Sequence, residues 1–395
     1  MEHILILGGD GYLGWPTAMY FSSRGYAVTV VDNNFRRNVG KEIDVTMLYE
    51  VPNLIERANI WYEKTGYEIK VVIGDLSVPK QMRSLFDGSL EYDWATNKDF
   101  TGIADTVIHF AEQPSAPYSM MNFTTSNLTL INNITVTNNL IYAVKDYAPK
   151  THIIKLGTMG EYGTPNIDIE EGWLDITHKG RKDKFLYPRQ ASSIYHTSKI
   201  MDTDLLWFGV RTWDLKVTDL MQGPVYGIDT DESIVDERLR TFFNYDEIFG
   251  TILNRFIVQA VVGYPLTVYG SGGQTRGYLN IKDTLQCIFA ATKKPAKQGE
   301  LRIFNQIVET FSVIELAELT KEAGRLIGYD VEIKNIDNPR KEKENHYYNP
   351  TYQGLFNLGV KPNLLTDKII GKIFKVALKY KKNIREEIIF RGVKW

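Results

Sequence analysis

The 395-residue sequence predicts a doubly wound α/β fold, in which helices cover both faces of a parallel sheet, with a smaller α/β domain beside it. Three observations predict this fold. Short aliphatic strands alternate with helical segments through the first half of the chain, a glycine-rich turn directly follows the first strand, and the pattern changes after residue 223. Alternation favours a parallel sheet, because each helix carries the chain back before the next strand begins.

The predicted strands are β-branched or aliphatic runs without a clean polar alternation, as expected for strands buried on both faces. Helices are predicted between them, including Thr124–Asp146 and Ser193–Phe208. The connection Asn34–Tyr67 is long, and we expect it to contain a helix at Asn53–Lys64 and to form either an inserted lid or a substrate-side element. The strands, in chain order, are His3–Leu7, Ala27–Val31, Ile69–Ile73, Thr106–Phe110, His152–Leu156 and Lys216–Leu220, with a seventh near Leu301–Phe304.

The composition shifts after Gly223, where Gly, Pro and Tyr become frequent and irregular loops separate the helices. We therefore predict two domains, each built from two stretches of sequence. The first comprises residues 1–222 and 276–308 and carries the parallel sheet. The second, smaller domain comprises residues 223–275 and 309–395.

The overall composition excludes several classes of protein. A net charge of −2, with 43% hydrophobic and 24% charged residues, gives no excess of positive charge for nucleic acid. Cys287 is the only cysteine and the six histidines show no ligand spacing, so we expect neither an intrachain disulfide nor a metal site. No apolar run reaches the ~20 residues of a membrane span, and the first strand starts at His3, so we expect a cytoplasmic protein without a targeting segment.

Three glycines, Gly8, Gly11 and Gly14, form a Gly-x-x-Gly-x-x-Gly turn between the first strand and a helix. The first allows a tight turn, the second a close approach of backbone to a pyrophosphate, and the third close packing of helix on strand. The amino end of the helix then faces the phosphates. This turn, which includes Tyr12 and Leu13, is typical of the dinucleotide site of a Rossmann-type fold.

Asp32 ends the second strand, 18 residues after the last of these glycines. A carboxylate there, followed by Asn33, accepts hydrogen bonds from ribose hydroxyls and repels a 2′-phosphate, so NAD is favoured over NADP. Arg36 and Arg37 lie nearby, and they either pair with phosphate or face water. The dipeptide Asp75-Leu76 follows the third strand and either meets the adenine ring or caps an ordinary loop.

Tyr195 and Lys199 stand four residues apart, so they lie on one face of a helix. The pKa of a tyrosine is ordinarily ~10, and a neighbouring ammonium lowers it. With the Thr158 hydroxyl to hold the substrate oxygen, such a pair takes the proton of a sugar hydroxyl while a hydride leaves the same carbon. The same spacing also occurs in helices that merely carry a half-buried tyrosine and a surface lysine.

Together these features resemble the extended short-chain dehydrogenase/reductase family, over almost the whole chain. The resemblance implies that the first domain binds NAD and the second a nucleotide sugar, and that the protein pairs into a homodimer through two helices. It also implies that Tyr195 is the base, that Lys199 holds the nicotinamide ribose and lowers the tyrosine pKa, and that Thr158 binds the reacting hydroxyl. The resemblance also places Ala111 and Gln222 among the residues that bind NAD. The motifs that carry the resemblance are Gly8-x-x-Gly11-x-x-Gly14, Asp32, Asp75-Leu76, His109-Phe110-Ala111, Thr158 and Tyr195-x-x-x-Lys199.

The two positions after Thr158 narrow the class of reaction that the protein can catalyse. Sugar 4,6-dehydratases of the family carry Asp and Glu there as the acid and base of elimination, and this chain has Met159 and Gly160. The ordinary dehydratase residues are therefore missing, whereas a UDP-sugar 4-epimerase needs neither. A non-catalytic or RNA-binding member of the fold fits less well, because the Tyr195–Lys199 pair is present and the net charge is −2.

Longer segments are similar to the branch of the family that makes UDP-sulfoquinovose from UDP-glucose and sulfite. That activity implies oxidation at C4, elimination across C5 and C6, addition of sulfite and reduction at C4. Plant members of the branch have an arginine where this chain has Pro114, so a candidate contact for sulfite is absent. The matching segments are residues 156–172, 187–196, 219–223, 269–279 and 346–349.

Two residues near the tyrosine are candidate helpers in the elimination. Glu161 is the nearest carboxylate of the motif for the C5 proton, with Tyr195 as the alternative base, and is otherwise a structural carboxylate that orders the loop. His196 is a candidate to protonate the departing hydroxyl or to bind sulfite, and is otherwise a packing residue. UDP carries about two negative charges and needs arginines with bidentate geometry. The predicted substrate residues are Thr158, Gln222, Arg255, Tyr269, Gln274, Arg276 and Arg340.

Overall fold

Seven parallel strands form the central sheet of the protein, seen in a computed structural model that describes residues 1–97, 103–340, 344–390 and 393–394. Each of the seven predicted strands is present, with bounds within two residues of the prediction. In the described residues the strands are β1 (His3–Leu7), β2 (Ala27–Asp32), β3 (Lys70–Ile73), β4 (Thr106–His109), β5 (His152–Thr158), β6 (Trp173–His178), β7 (Arg181–Leu186), β8 (Lys216–Gln222), β9 (Val225–Tyr226), β10 (Leu266–Tyr269), β11 (Thr275–Asn280), β12 (Glu300–Gln306), β13 (Glu309–Ser312) and β14 (Ile333–Ile336).

Helices cover both faces of the sheet and build much of the remaining structure. In the same described ranges they are α1 (Gly14–Ser22), α2 (Phe35–Glu42), α3 (Leu54–Thr65), α4 (Pro79–Ser84), α5 (Ala116–Ser119), α6 (Phe123–Tyr147), α7 (Ile194–Trp213), α8 (Ile252–Val262), α9 (Ile281–Lys293), α10 (Val313–Leu326), α11 (Gln353–Asn357), α12 (Asp367–Lys379) and α13 (Glu386–Ile389). The three predicted helices are confirmed as α3, α6 and α7. Each begins after a side-chain cap, from Asn53, Asn122 and Ser193 respectively.

The strand order β12-β8-β5-β4-β1-β2-β3 places the first strand inside the sheet. The chain runs outward from β1 to β3 and then crosses back to β4, on the other side of β1. Ile4 of β1 therefore pairs with Val28 on one side and with Thr106 on the other. In open α/β sheets, ligands bind in the crevice at the carboxyl ends of the strands that flank such a reversal.

Alternate residues of β1 face opposite sides of the sheet, and both sides are apolar. Leu5 and Leu7 belong to a core shared with α6 and α7. Ile4 and Ile6 belong to a core shared with α1, α3 and α9. All four side chains are fully buried. Burial on both faces explains why the strand sequences show no polar alternation.

A further apolar core lies outside the central sheet, among α8, α10 and α12. Leu48 and Tyr49, from the long connection 34–67, are part of it, and the Leu48 N–H donates to the Phe243 carbonyl at 2.9 Å. The inserted segment is therefore anchored to this core. Its use as a lid stays a prediction, as does the division into two domains. Strand β11 pairs with β9 and β13 rather than with the central sheet.

Strands β6 and β7, which no sequence pattern predicted, pair as an antiparallel hairpin. Lys179 and Gly180 form its turn with φ of 48° and 77°, the left-handed conformation that the tightest hairpin turns require. Exposed charged residues such as Arg181, Lys182 and Asp183 occupy successive positions of the second strand. The apolar residues Trp173, Leu174 and Leu186 lie together at the open end of the hairpin, where they pack against the core, so the charged second strand leaves no alternating pattern in the sequence.

None of the helices in the described part of the chain is long and apolar enough to cross a membrane. The predicted cytoplasmic location stays a prediction.

Replacement of Gly14 by alanine should destabilise the protein, because α1 packs directly on the turn after β1. A Cβ at this position would lie 2.0 Å from the Gly8 carbonyl oxygen, a clash that only a backbone shift relieves. We expect a loss of about 2–3 kcal/mol in the free energy of unfolding, measured by urea denaturation. Gly371 of α12 is the matched control, since open space surrounds its Cβ position. Gly371→Ala should stabilise the protein by about 0.5–1 kcal/mol, and equal effects of the two substitutions would contradict this account.

Candidate active site

A cavity of about 810 Å³ opens at the carboxyl ends of the central strands. It lies at the reversal of strand order between β1 and β4, as expected for this fold. Two of the predicted site residues, Lys199 and Glu161, are buried and do not contribute to its lining. The predicted residues that line it are Gly8, Gly11, Tyr12, Leu13, Gly14, Asp32, Asn33, Arg36, Asp75, Leu76, Ala111, Thr158, Tyr195, His196, Gln222, Arg255, Tyr269, Gln274, Arg276 and Arg340.

The glycine turn builds one end of the cavity by close approach of backbone to backbone. Gly8 has a φ of 87°, and a Cβ there would lie 2.7 Å from the Phe110 carbonyl. At Gly11 the nearest atom to a Cβ would be 3.6 Å away, so the backbone at this glycine is open to a ligand. Helix α1 begins at Gly14 without a side-chain cap and without an acidic residue in its first turn. Its first N–H groups suit a phosphate, so the turn fits a dinucleotide.

Asp32 ends β2 with both carboxylate oxygens on backbone N–H groups. Oδ2 accepts from Asp10 at 2.9 Å, and Oδ1 accepts from Asn34 at 2.7 Å. Burial and the negative charge of Asp10 raise the pKa of Asp32 to about 6. Each oxygen keeps a second lone pair for a ribose hydroxyl, which is the role predicted from the sequence.

The two arginines that follow Asp32 have different surroundings. Arg37 donates to both carboxylate oxygens of Asp10, at 2.6 and 2.9 Å, so its guanidinium is occupied by a partner within the protein. The Arg36 guanidinium lies 3.2 Å from the centre of the Phe249 ring and lines the cavity. Its Nη2 is buried without a hydrogen-bond partner in the described residues, and burial lowers its pKa to about 10. Arg36 is still charged at neutral pH and is the one of the two that a ligand can reach.

Thr158 ends β5 at the cavity, and a short 3₁₀ turn, Met159–Glu161, follows it. The Thr158 Oγ1 accepts from the Gly160 N–H at 3.1 Å, which leaves the hydroxyl proton for an outside acceptor. The His196 imidazole packs over Gly160, where a Cβ would lie 2.3 Å from Nε2. The imidazole therefore occupies the space that a side chain at position 160 would fill.

Tyr195 stands in the first turn of α7 and lines the cavity. Burial raises the pKa of its phenol, and the negative charges of Glu112 and Glu161 raise it further. The lowering predicted from Lys199 stays a prediction; that ammonium is 1% exposed and forms an ion pair with Glu112. The four-residue spacing does place both side chains on one helix, but the ammonium is paired with a carboxylate.

Glu161 is fully buried beneath the turn that follows Thr158. One oxygen accepts from the Lys155 ammonium at 3.3 Å, and the other from the Thr203 hydroxyl at 3.1 Å. Lys155 also donates to Asp219 at 3.3 Å. Burial raises the pKa of Glu161 to about 7 even though the Lys155 charge opposes this shift. A carboxylate in this position holds the turn rather than facing a substrate.

His196 is a titratable side chain of the cavity wall. Its Nδ1 lies 3.1 Å from the Ser192 hydroxyl and 3.0 Å from the Ser193 hydroxyl. Burial, together with the positive charges of Arg276 and Arg340, lowers the pKa of His196 to about 4. The imidazole is therefore uncharged at neutral pH, and one of its ring nitrogens can accept a proton.

The part of the cavity wall outside the central sheet carries the predicted arginines. Arg255 pairs with Glu247 at 2.8 Å, and its guanidinium lies 5.3 Å from the centre of the Tyr269 ring. Arg276 and Arg340 reach the same cavity. Three guanidinium groups on one cavity supply the positive charge and the paired donors that a diphosphate needs.

Two carboxylates of the cavity, Glu112 and Glu247, were not predicted. Glu112 comes three residues after the end of β4, and parallel strands deliver the residues that follow them to the same edge of the sheet. The position of Glu112 just after a predicted strand could therefore have indicated, from the sequence alone, that it reaches the cavity. Glu247 lies in an irregular segment, where no helix or strand pattern indicates its place, and only the fold brings it to Arg255.

A glycine turn, an acid at the end of the second strand and a Thr–Tyr pair on one cavity define a dinucleotide-dependent enzyme that oxidises an alcohol. The sequence profile of the NAD dependent epimerase/dehydratase family matches residues 4–305, and the chain belongs to that family. NAD, the cofactor predicted from Asp32, is the cofactor of this family.

Two relatives align over nearly the whole chain, and both are UDP-sulfoquinovose synthases. The chloroplastic protein of Spinacia oleracea is 45% identical over 394 residues, which are 100% of this chain and 79% of the relative. The protein of Sulfolobus acidocaldarius is 41% identical over 397 residues, covering 99% of this chain and 97% of the relative. Within the family, the chain therefore groups with the UDP-sulfoquinovose synthases.

Solved structures show the same fold. The UDP-glucuronic acid 4-epimerase of Bacillus cereus, crystallised with UDP-glucuronic acid and NAD, aligns with a TM-score of 0.68 over 97% of this chain and 100% of its own. Its sequence is 18% identical, so this likeness shows the fold alone.

The affinity for NAD should fall as the pH drops through about 6, because Asp32 loses its charge there. Above this pH the ionised carboxylate accepts strongly from ribose hydroxyls, and below it the protonated group accepts weakly. Asp32→Asn should weaken binding about 10-fold or more near neutral pH and remove the pH dependence. Isothermal titration with NAD across this pH range measures both effects. An affinity of the unmutated protein that does not change with pH would contradict the role of Asp32.

Proposed function

We propose that the protein makes UDP-sulfoquinovose from UDP-glucose and sulfite, with water as the second product. The observation that carries the proposal is the cavity wall after β5. Thr158 is present there, and Tyr195 of α7 lines the same cavity, for oxidation at C4, while Met159 and Gly160 replace the acid and base of the dehydratases. The two relatives of this activity, aligned over nearly the whole chain, support the proposal.

Oxidation at C4 needs a base and a group that orients the alcohol. The Thr158 hydroxyl donates to the C4 oxygen, since its own oxygen already accepts from Gly160. Tyr195, on the same cavity, takes the C4 hydroxyl proton and returns a proton when C4 is reduced. NAD, when bound, accepts a hydride and later gives it back. The glycine turn, Asp32 and Arg36 would hold it.

Elimination across C5 and C6 needs a proton acceptor and a proton donor, and we assign both parts to His196. The C4 ketone acidifies the C5 proton, which the uncharged imidazole accepts. The same group then delivers a proton to the C6 hydroxyl, which leaves as water. The ring fills the space of a side chain at position 160, where the dehydratases carry their base. Glu161 has the positioning role that its burial indicates.

Addition of sulfite needs positive charge, and Pro114 supplies none. Hydrogensulfite adds its sulfur to C6, and a proton goes to C5. The positive charges of Arg276 and Arg340 lower the pKa of His196, so both arginines are close enough to influence the region proposed for elimination. We propose that these two arginines attract sulfite in addition to binding the diphosphate.

The direct test is incubation of the purified protein with UDP-glucose, NAD and sulfite, followed by mass spectrometry. The proposal requires a sulfonated UDP-hexose that depends on sulfite. Formation of UDP-galactose with no sulfonated product would identify a 4-epimerase and contradict the proposal.

Tyr195→Phe removes one oxygen atom and should lower the rate of this reaction at least about 100-fold, because the proton acceptor at C4 is lost. NAD should still bind. Tyr187→Phe is the matched control, since that hydroxyl donates to the Asp168 carbonyl at 2.9 Å and is absent from the cavity. Undiminished turnover in Tyr195→Phe would remove this phenol as the base.

We also propose that the protein forms a homodimer through α6 and α7, which are packed against each other. Both helices carry apolar side chains to the surface. Phe123 is 82% exposed, Ile131 65% and Phe208 42%. Apolar side chains exposed on two packed helices would be covered by pairing of the same helices in a second copy. Size exclusion with light scattering should give twice the chain mass, and the chain mass for Ile131→Glu. A monomeric unmutated protein would contradict the proposal.

A further inference from the structure

Asp10 is a carboxylate within the glycine turn, next to Gly11, and it is 2% exposed. The turn at Gly11 is the place where the backbone is open to the pyrophosphate of a cofactor. The Asp10 N–H donates to the Asp32 Oδ2 at 2.9 Å, so Asp10 also orients the carboxylate predicted to face the ribose. Two negative side chains therefore lie together at the site of an anionic ligand, and their burial requires a compensating charge.

Two arginines of the connection 34–67 supply that charge. Arg57 of α3 donates from Nη2 to the Asp10 Oδ1 at 2.5 Å and to the Asp10 carbonyl at 3.0 Å. Arg37 of α2 donates to both Asp10 carboxylate oxygens and, at 2.7 Å, to each of two backbone carbonyls that precede α3. Both helices of the connection are thus joined to the glycine turn through one carboxylate.

The burial of Arg57 is not explained by stability alone. Its side chain is completely buried, and its Nε and Nη1 have no hydrogen-bond partner in the described residues. The guanidinium lies 4.7 Å from the centre of the Trp15 ring and 5.9 Å from that of Phe242. Replacement of a buried ion pair by apolar residues is often neutral or stabilising, so a fold could dispense with this charge. The contact that uses the charge is the one with Asp10.

We propose that Arg37 and Arg57 are positioning residues for NAD, which act through Asp10 by compensating its charge within the turn that receives the pyrophosphate. The connection 34–67 then helps to set the affinity for the cofactor. Asp10, Arg37 and Arg57 do not line the cavity, so they act through the turn rather than by contact with a ligand. The inference does not rest on the proposed reaction, because NAD is the cofactor of the family.

The balance of charge gives the direction of the effect. When all four groups are ionised, the charges of Asp10 and Asp32 are cancelled by those of Arg37 and Arg57. Without Arg57 a net negative charge remains in buried surroundings, directly beside the turn. Because the pyrophosphate is itself negative, this charge opposes binding of the cofactor, and burial makes the repulsion stronger than in water.

The test is isothermal titration of Arg57→Met with NAD at neutral pH. Methionine keeps much of the apolar stem and removes the charge. The affinity for NAD should fall about 10-fold or more, whereas the affinity for UDP should change by less than about 2-fold. An unchanged affinity for NAD, or an equal fall for both ligands, would overturn the proposal.

Addition of Asp10→Asn to Arg57→Met separates compensation of charge from loss of a structural contact. The double variant has no Asp10 carboxylate left to compensate, so its affinity for NAD should return to within about 3-fold of the unmutated protein. If the contact had only a structural role, the second substitution would add to the damage. A double variant that binds NAD no better than Arg57→Met would therefore overturn the proposal.

Arg37→Met decides the matter if Arg57→Met does not fold, as judged by thermal denaturation. The Arg37 side chain is 15% exposed, so its replacement disturbs the interior less. This variant should also bind NAD more weakly, and Asp10→Asn should again restore the affinity. Absence of the loss or of the recovery would contradict the assignment.

Arg24→Met is the matched control, because it removes an ion pair with Glu232, at 2.8 Å, from a residue that follows α1 and does not line the cavity. Its affinity for NAD should equal that of the unmutated protein. A fall as large as that in Arg57→Met would mean that any lost ion pair near α1 suffices, and would overturn the role of Asp10. A protein that makes no sulfonated sugar would contradict the proposed function, yet leave these affinities unchanged.

Discussion

The buried ammonium of Lys155 holds together the elements that carry the active site. Its partners are Glu161 on the turn after β5, Asp219 on β8, and the Thr203 hydroxyl and Lys199 carbonyl on α7. Removal of one partner from a buried ion pair typically costs about 3–5 kcal/mol, because the other charge is left uncompensated. Thr158 lies at the end of β5, directly before the turn that carries Glu161, and Tyr195 lies on α7. The relative position of the Thr158 hydroxyl and the Tyr195 phenol therefore depends on Lys155, although Lys155 is hydrogen-bonded to neither side chain.

Features that depend on neighbours in the sequence were predictable, and features that depend on packing were not. The run of β1 and the turn at Gly8 follow from apolar patterning and glycine chemistry within a few residues. Lys199 and Glu112 are 87 positions apart, so their pairing exists only once β4 and α7 lie side by side. Glu112, whose negative charge acts on Tyr195, was missed for the same reason. Sequence spacing reveals a neighbouring charge, but not the burial of the pair or the third group that accompanies it.

Positive and negative side chains are balanced in number in the lining of the cavity. Arg36, Arg255, Arg276 and Arg340 lie there together with the carboxylates of Asp32, Asp75, Glu112 and Glu247. The absence of acids at Met159 and Gly160 belongs to the same design. A carboxylate at position 159 or 160 that faced the cavity would repel an anionic nucleophile, whereas the uncharged imidazole that occupies the space beside Gly160 would not. Under the proposed function, loss of the dehydratase acids and addition of a sulfur nucleophile therefore follow from one electrostatic requirement.

The glycine turn is hydrogen-bonded directly to the half of the molecule that carries the arginines. The Tyr12 hydroxyl donates to the Gly227 carbonyl at 2.5 Å, and the Trp15 indole donates to the Leu239 carbonyl at 3.1 Å. If a ligand at the turn changes the affinity for a ligand at the arginines, thermodynamic reciprocity requires the second ligand to change the affinity for the first by the same factor. A catalyst that removes a hydride and must restore it to the same molecule depends on such coupling, because the reduced carrier and the oxidised sugar then stay together until the cycle closes.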